Sequence, residues 1–125
     1  MYRIEKIGEN KFYIKALGLF PPPVAKRFIK DFRKKTKKLE KFSVIVDGLE
    51  VIFLNLESFE IILDFLKENN ERLERSSWII SKNPPLDKEI AVLLERADSP
   101  KRKIVGTLEE AKEWIGVNDI IIIRD

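Results

Sequence analysis

Phe42-Ser-Val-Ile-Val-Asp47 is a short, β-branched and nearly all-apolar run. A strand with one wet face alternates apolar and polar residues, so this run predicts a central strand covered on both faces. Such a strand needs secondary structure above and below it, which restricts the chain to layered α/β architectures. At 125 residues the chain has the common size of one domain. Folding at that length buries roughly two thirds of the accessible surface, enough for a core of its own. A hydrophobic content of 44% separates the chain from disordered tails.

The flanking segments fit that architecture. Tyr2-Arg-Ile-Glu-Lys-Ile7 and Lys11-Phe-Tyr-Ile-Lys-Ala16 read as strands joined by Gly8-Glu9-Asn10, an antiparallel hairpin. Gly18 and Pro21-Pro22-Pro23 break the second strand and open a helix, since proline is tolerated in a first helical turn. From Val24 to about Leu39 the apolar period becomes helical, with Val24, Phe28, Ile29, Phe32 and Leu39 on one side. Gly48 is read as the end of the central strand, and Val51-Ile-Phe-Leu54 as a further extended run. Asn55 is placed to cap a second helix running to about Asn70, with Leu54 and Phe59 at the two positions of a hydrophobic staple. Its buried side is expected to hold Phe59, Ile62, Leu63 and Leu66.

Trp78-Ile-Ile-Ser81 reads as the next strand, and Asn83-Pro84-Pro85 opens a helix with Ile90, Leu93, Leu94 and Ala97 inward. Lys103-Ile-Val105 is a short strand. Thr107-Leu-Glu-Glu110 is a capping box and Gly116 a C′ glycine, which bracket a last helix with Leu108, Ala111, Trp114 and Ile115 inward. Ile120-Ile-Ile-Ile123 predicts an additional strand over about residues 119–124. Isoleucines left wet there would forgo about 1.5–3 kcal/mol per side chain, so the run joins this chain's sheet or pairs with a second copy as a homodimer; the intrachain strand is preferred. The resulting fold class is α/β: one mixed sheet with an N-terminal hairpin and four helices, spanning residues 1–125 as a single domain.

Composition removes several function classes. The sequence has no cysteine and no histidine, so disulfides, thiol chemistry, imidazole catalysis and the usual soft-metal sites are not expected. Neither a metal nor a cofactor is expected. No apolar run approaches the roughly 18 residues of a membrane span, and the start lacks a signal-peptide layout, so a cytoplasmic setting is expected. The Lys/Glu/Ile-rich, cysteine-free style suits a thermophile. Charged residues make up 36%, but 24 basic against 21 acidic leave only +3, too little to indicate nucleic acid. Asp47 and Glu50 flank Gly48 at a strand end where α/β folds place ligands, yet an aspartate there is more simply a turn or cap residue. Ser76, Ser77 and Ser81 have no histidine to activate them, Lys82 reads as a surface residue, and no phosphate-cradling glycine motif occurs. No catalytic residue is expected, and the chain is not read as an enzyme.

Charge is segregated by helix. Lys26, Lys30, Arg33, Lys37 and Lys41 recur at helical intervals beside Arg27 and Lys34, and Glu57, Glu60, Asp64, Glu68 and Glu71 form an acidic counterpart on the second helix. Like charges at these spacings repel by a few tenths of a kcal/mol per pair, so the segregation does not serve local stability. The stripes are solvated faces that screen each other if the helices are neighbours, or docking surfaces for partners of opposite charge. A nucleic-acid or anionic-membrane contact is disfavoured, because no glycine-rich loop or aromatic platform accompanies the basic stripe.

Four stretches in order resemble the STAS domain, the fold of bacterial anti-sigma-factor antagonists, over about residues 2–116. They are Ala16-Leu-Gly-Leu-Phe20 before the first helix, Ser43-Val-Ile-Val-Asp47 as the central strand, Val51-Ile-Phe-Leu-Asn-Leu-Glu-Ser-Phe59 entering the second helix, and Gly106-Thr-Leu-Glu-Glu-Ala-Lys-Glu-Trp-Ile115 as the closing helix. Antagonists of that family carry Asp-Ser-Ser-Gly at the start of the second helix, where a partner kinase phosphorylates serine. Here the aligned residues are Asn55, Leu56, Glu57 and Ser58, so the serine positions lack a hydroxyl and Ser58 replaces the glycine. Glu57 instead puts a fixed charge at a helix amino terminus, favoured by roughly 0.3–1 kcal/mol.

The resemblance implies a regulatory protein–protein interaction module with a protein partner, such as a kinase-type anti-sigma factor. Asn55, Glu57, Ser58, Glu60 and Asp64 are the implied partner-binding residues, and Lys26, Lys30, Arg33 and Lys37 form an alternative basic contact face. The rival readings are a small-molecule or lipid-binding or transport-accessory domain, which an apolar cavity would favour, and a nucleic-acid-binding domain.

Overall fold

The computed structural model describes residues 1–80 and 84–124, without the side chain of Phe53. The central strand, β3, is longer than its apolar run: it extends unbroken from Phe42 to Phe53. Gly48 does not end it. A Cβ at Gly48 would stand 3.3 Å from the backbone oxygen of Ile79, so the glycine lets two strands approach closely and the ladder pass on. The two extended runs expected on either side of Gly48 are therefore one strand.

β1 (Tyr2–Lys6) and β2 (Lys11–Leu19) form the antiparallel hairpin, and β2 lies parallel to β3 with Lys15 opposite Asp47. Register shifts on either side of Leu17 and Gly18 let β2 follow β3 as far as Leu19 opposite Phe53. Gly18 supplies the φ of +62° that this bend requires. β4 (Leu73–Ile80) pairs parallel with β3 as far as Gly48, and β5 (Arg102–Val105) closes the edge, giving a mixed sheet in the order β1-β2-β3-β4-β5. β4 begins five residues earlier than the apolar run Trp78–Ile80 indicates, because its first half carries charged side chains on its exposed positions. Ser81, Lys82 and Asn83, the expected strand end and helix start, lie outside the described residues.

Alternate side chains of the central strands go to opposite faces. Phe12, Ile14, Val44 and Trp78 meet α1 (Pro22–Thr36), α2 (Leu56–Glu68) and α3 (Pro84–Ala97) in the larger core. Phe32 is its aromatic hub, with edge-on contacts to Phe12, Phe42 and Phe65 at 5.3–5.8 Å between centroids. Tyr13, Ile45 and Ile79 point the other way, toward α4 (Leu108–Ile115). The two-sided cover expected of Phe42–Asp47 is thus present. Helix ends follow local chemistry: Thr107 accepts from the Glu110 amide at 3.1 Å, and Gly116 takes the left-handed conformation at φ 79°. Arg72 donates to the carbonyls of Thr36, the last residue of α1, and of Leu39 just beyond it, and Arg102 donates to the Leu66 carbonyl in the last turn of α2.

The carboxyl-terminal expectation needs correction. Residues 117–124 make no ladder and form no strand; they run as an irregular strap over the smaller core. Ile120 and Ile122 pack against that core while Ile121 and Ile123 stay exposed. The alternation expected of a strand survives, but side chains reaching up from the sheet, not backbone pairing, hold the segment. Its four isoleucines mimic a strand pattern because a strap lying on a sheet also has one inner and one outer side.

Candidate functional site

The start of α2 is built by the expected cap. Asn55 sits in extended backbone, its side-chain oxygen accepts from the Ser58 amide at 2.8 Å, and its carbonyl accepts from the Phe59 amide at 2.8 Å. Leu54 and Phe59 are both buried in the larger core, as a staple requires. Glu89 of α3 accepts from the Leu54 amide at 3.4 Å, which ties the turn to the neighbouring helix.

The four residues at the α2 start have different fates. Asn55 is half-buried, Leu56 is 76% exposed and Glu57 is exposed in the first helical turn. Ser58 is 0% exposed, and its hydroxyl finds no hydrogen-bond partner among the described residues. Ser58 therefore lies beneath the surface and does not present itself to a partner. It stands where the helix turns its first inward position onto the core, which explains why a glycine-sized or small residue fits there.

The remaining predicted residues separate into two groups. Glu60 is held by Arg96 of α3 at 3.0 Å, and Asp64 is exposed with no ion pair among the described residues. On α1, Arg33 grips Glu68 of α2 through three contacts of 2.7–3.2 Å, so this member of the basic face is turned to the acidic helix beside it. Lys26, Lys30 and Lys37 are exposed and make no ion pair among the described residues. The α1 and α2 stripes are neighbours, joined directly at one point.

Apolar exposure gathers where α2 begins. Leu19 at the end of β2 is 54% exposed and Ile52 near the end of β3 is 60% exposed. Leu49 is also exposed, and with Leu56 these four occupy the C-terminal end of the β2–β3 ribbon and the first residue of α2. Isolated exposed leucines are ordinary, but several near the end of two paired strands and the start of one helix, with Glu57 in no ion pair among the described residues, are an unusual concentration of exposed apolar side chains.

Two further features escaped sequence reasoning. One is an apolar cavity of about 120 Å³ between the sheet and the helices, lined by Phe28, Phe32, Phe65, Leu66, Trp78 and Leu93 among others. The other is a polar knot on the smaller core. Asp47 is 3% exposed, accepts from the Tyr13 hydroxyl at 2.5 Å and pairs with the Arg124 guanidinium at 2.8 Å. Burial alone would push the Asp47 carboxyl up, but hydrogen bonds from Arg124 and Tyr13, with the charge of Arg124, hold it below the usual carboxylate range. Burial and then the hydrogen bond to Asp47 raise the Tyr13 hydroxyl well above its ordinary value. Asp47 is thus neither a free carboxylate at a ligand cleft nor a simple turn cap.

The strand order, the crossing helices and the capped α2 start decide the family of folds. An uncharacterized DUF3478-family protein with a SpoIIAA-like fold from Shewanella loihica PV-4 superposes with a TM-score of 0.70, at 16% identity over 91% of each chain. The anti-sigma factor antagonist SpoIIAA in its unphosphorylated form superposes with a TM-score of 0.65, at 11% identity over 98% of this chain and 100% of that one. This is a STAS-like fold. No family model matches the chain, and no curated protein matches it. The α2 start carries a hydrophobic residue, Leu56, and a carboxylate, Glu57, on its outer side. No described helix is long and apolar enough to cross a membrane.

Proposed function

We propose that this STAS-like chain acts as a single regulatory module that docks a protein on the start of α2. Exposed Leu56 beside Glu57, with Ile52 and Leu19 on the adjoining ribbon, is the observation that carries the reading. An apolar centre with a charged rim is the composition of a protein interface, and the cap and staple hold it in one conformation before a partner arrives. The partner surface that fits presents an apolar side chain flanked by lysine or arginine, and Glu57 and Asp64 supply the opposite charge. Likeness to an anti-sigma factor antagonist makes a kinase-type anti-sigma factor the first partner to test. With Ser58 inside and no hydroxyl at positions 56 and 57, docking operates without the serine phosphorylation switch. The module acts by binding and not by catalysis, in the cytoplasm.

Affinity capture from the native cell tests the reading. Wild-type chain is expected to retain a specific protein, and Leu56→Asp to lose it by about tenfold or more, the order expected of an interface anchor. Retention of the same protein by Leu56→Asp and by Glu57→Lys, with unchanged melting, refutes the assignment.

The cavity favours a second reading, a small apolar ligand. Its volume of about 120 Å³ is below the roughly 300–1,000 Å³ of small-molecule sites and near that of cavities holding a single benzene. A lipid chain does not fit in this conformation. Under this reading a saturating benzene-sized compound raises the melting temperature; the docking reading requires no such shift.

A further inference from the structure

The strap after α4 is held in an unusual way. Val117 is buried and its amide bonds Lys112, which fixes the strap's root behind Gly116. Beyond that root, Ile120 and Ile122 pack on the smaller core and three basic side chains make the polar attachments to the sheet. Arg3 of β1 donates to the Ile123 carbonyl at 2.7 Å, Lys15 of β2 donates to the Arg124 carbonyl, and Arg124 itself reaches Asp47 of β3. No ladder hydrogen bonds join residues 118–124 to the sheet. The segment can therefore leave without breaking any strand pairing.

Two of the anchors also organise the ribbon. Lys15 binds Glu50 at 2.9 Å as well as the Arg124 carbonyl, so one ammonium joins strap to ribbon. Asp47 accepts the Leu49 amide at 3.4 Å through one oxygen while Tyr13 and Arg124 share the other. Glu50 and Leu49 lie directly before Val51 and Ile52, and on β2 Leu17 pairs opposite Glu50, Gly18 opposite Val51 and Leu19 opposite Phe53. Strap, Asp47 and ribbon are linked through single side chains.

We infer that residues 118–124 form a detachable latch whose docking on Asp47 orders the β2–β3 ribbon and so controls the surface carrying Leu19 and Ile52. Latched, the ribbon is held at Glu50 and Leu49 and the docking surface is preformed. Unlatched, Lys15 loses one of its two anchors, Asp47 loses its only ionic partner among the described residues, and the ribbon beyond Gly48 loosens. Ile121 and Ile123, already outside, offer a competing molecule a grip on the strap. The regulatory consequence rests on the docking reading above; the mechanical coupling does not.

Hydrogen–deuterium exchange on the intact chain separates the two. Arg124→Ala is expected to speed exchange about tenfold or more in residues 118–124 and also in 49–53, and to leave the α1 and α2 cores unchanged. Arg124→Lys, which keeps the charge, is expected to restore part of the protection. The latch is overturned if 118–124 loosen while 49–53 keep their wild-type rates, or if every segment speeds up together. Capture then reads the consequence. If wild type captures no partner the docking reading fails whatever the exchange shows, whereas normal capture by Arg124→Ala with a loosened ribbon overturns the control and leaves the docking site standing.

Discussion

Ser58 and Asp47 show how burial decides what a polar side chain does. The Ser58 hydroxyl is sealed in without a partner among the described residues, a state that costs about 1–3 kcal/mol relative to a satisfied group. Ser58→Ala removes it and improves helix propensity, so the variant is expected to be more stable by about 1 kcal/mol in urea unfolding. A destabilised Ser58→Ala would mean that the hydroxyl is bonded after all. Asp47 is the opposite case, a buried carboxylate with three donors, Tyr13, Arg124 and the Leu49 amide. Its folded pKa is below the ordinary 3.8, so its contribution is present above that value and is lost as pH falls through the lower folded pKa. The stability gap between wild type and Arg124→Ala is therefore expected to narrow as acid unfolding scans go below about pH 3.8; a gap constant with pH contradicts the ion pair. Neither environment could be read from the sequence. An aspartate closing an apolar run and an arginine closing an isoleucine run are visible, but their pairing spans 77 positions and depends on where the tail lies.

At the scale of elements, local signals were sufficient where the controlling interactions are local. Asn55, the Thr107–Glu110 box, Gly116 and the proline-led first helix all place their helix ends as the sequence indicates, because a cap acts within one turn. The continuity of β3 and the fate of the tail depend on contacts with distant strands. Gly48 reads as a breaker locally and proves to be a point of close strand approach. The charge stripes belong to this scale too. Arg33 and Glu68 join α1 to α2 with good geometry, but both side chains are more than half exposed. A double-mutant cycle is expected to give a coupling of only about 0.2–1 kcal/mol, shrinking with added salt. A coupling several times larger would make the α1–α2 seam a structural device and weaken the view of the stripes as outward surfaces.

For the whole molecule, the sheet divides two kinds of work. Its larger core, packed with phenylalanines, secures α1–α3 and sets the position of the α2 start. Its smaller core is closed by α4 and by a strap attached to the sheet through side chains, and the β2–β3 ribbon carries the exposed Leu19, Leu49 and Ile52. The layered α/β architecture was legible from Phe42–Asp47 and the alternation of periods around it. The proposed docking surface was legible only in part: Asn55 and Glu57 were read as its members from the sequence, while Ser58 goes inward and Leu19, Leu49 and Ile52 are exposed on strands that run on past Gly48. The most direct test is amide protection in the complex with whatever protein wild type captures. Protection is expected to concentrate in residues 49–60, with α1 unchanged; protection centred on Lys26–Lys37 of α1, with 49–60 unaltered, would contradict the account.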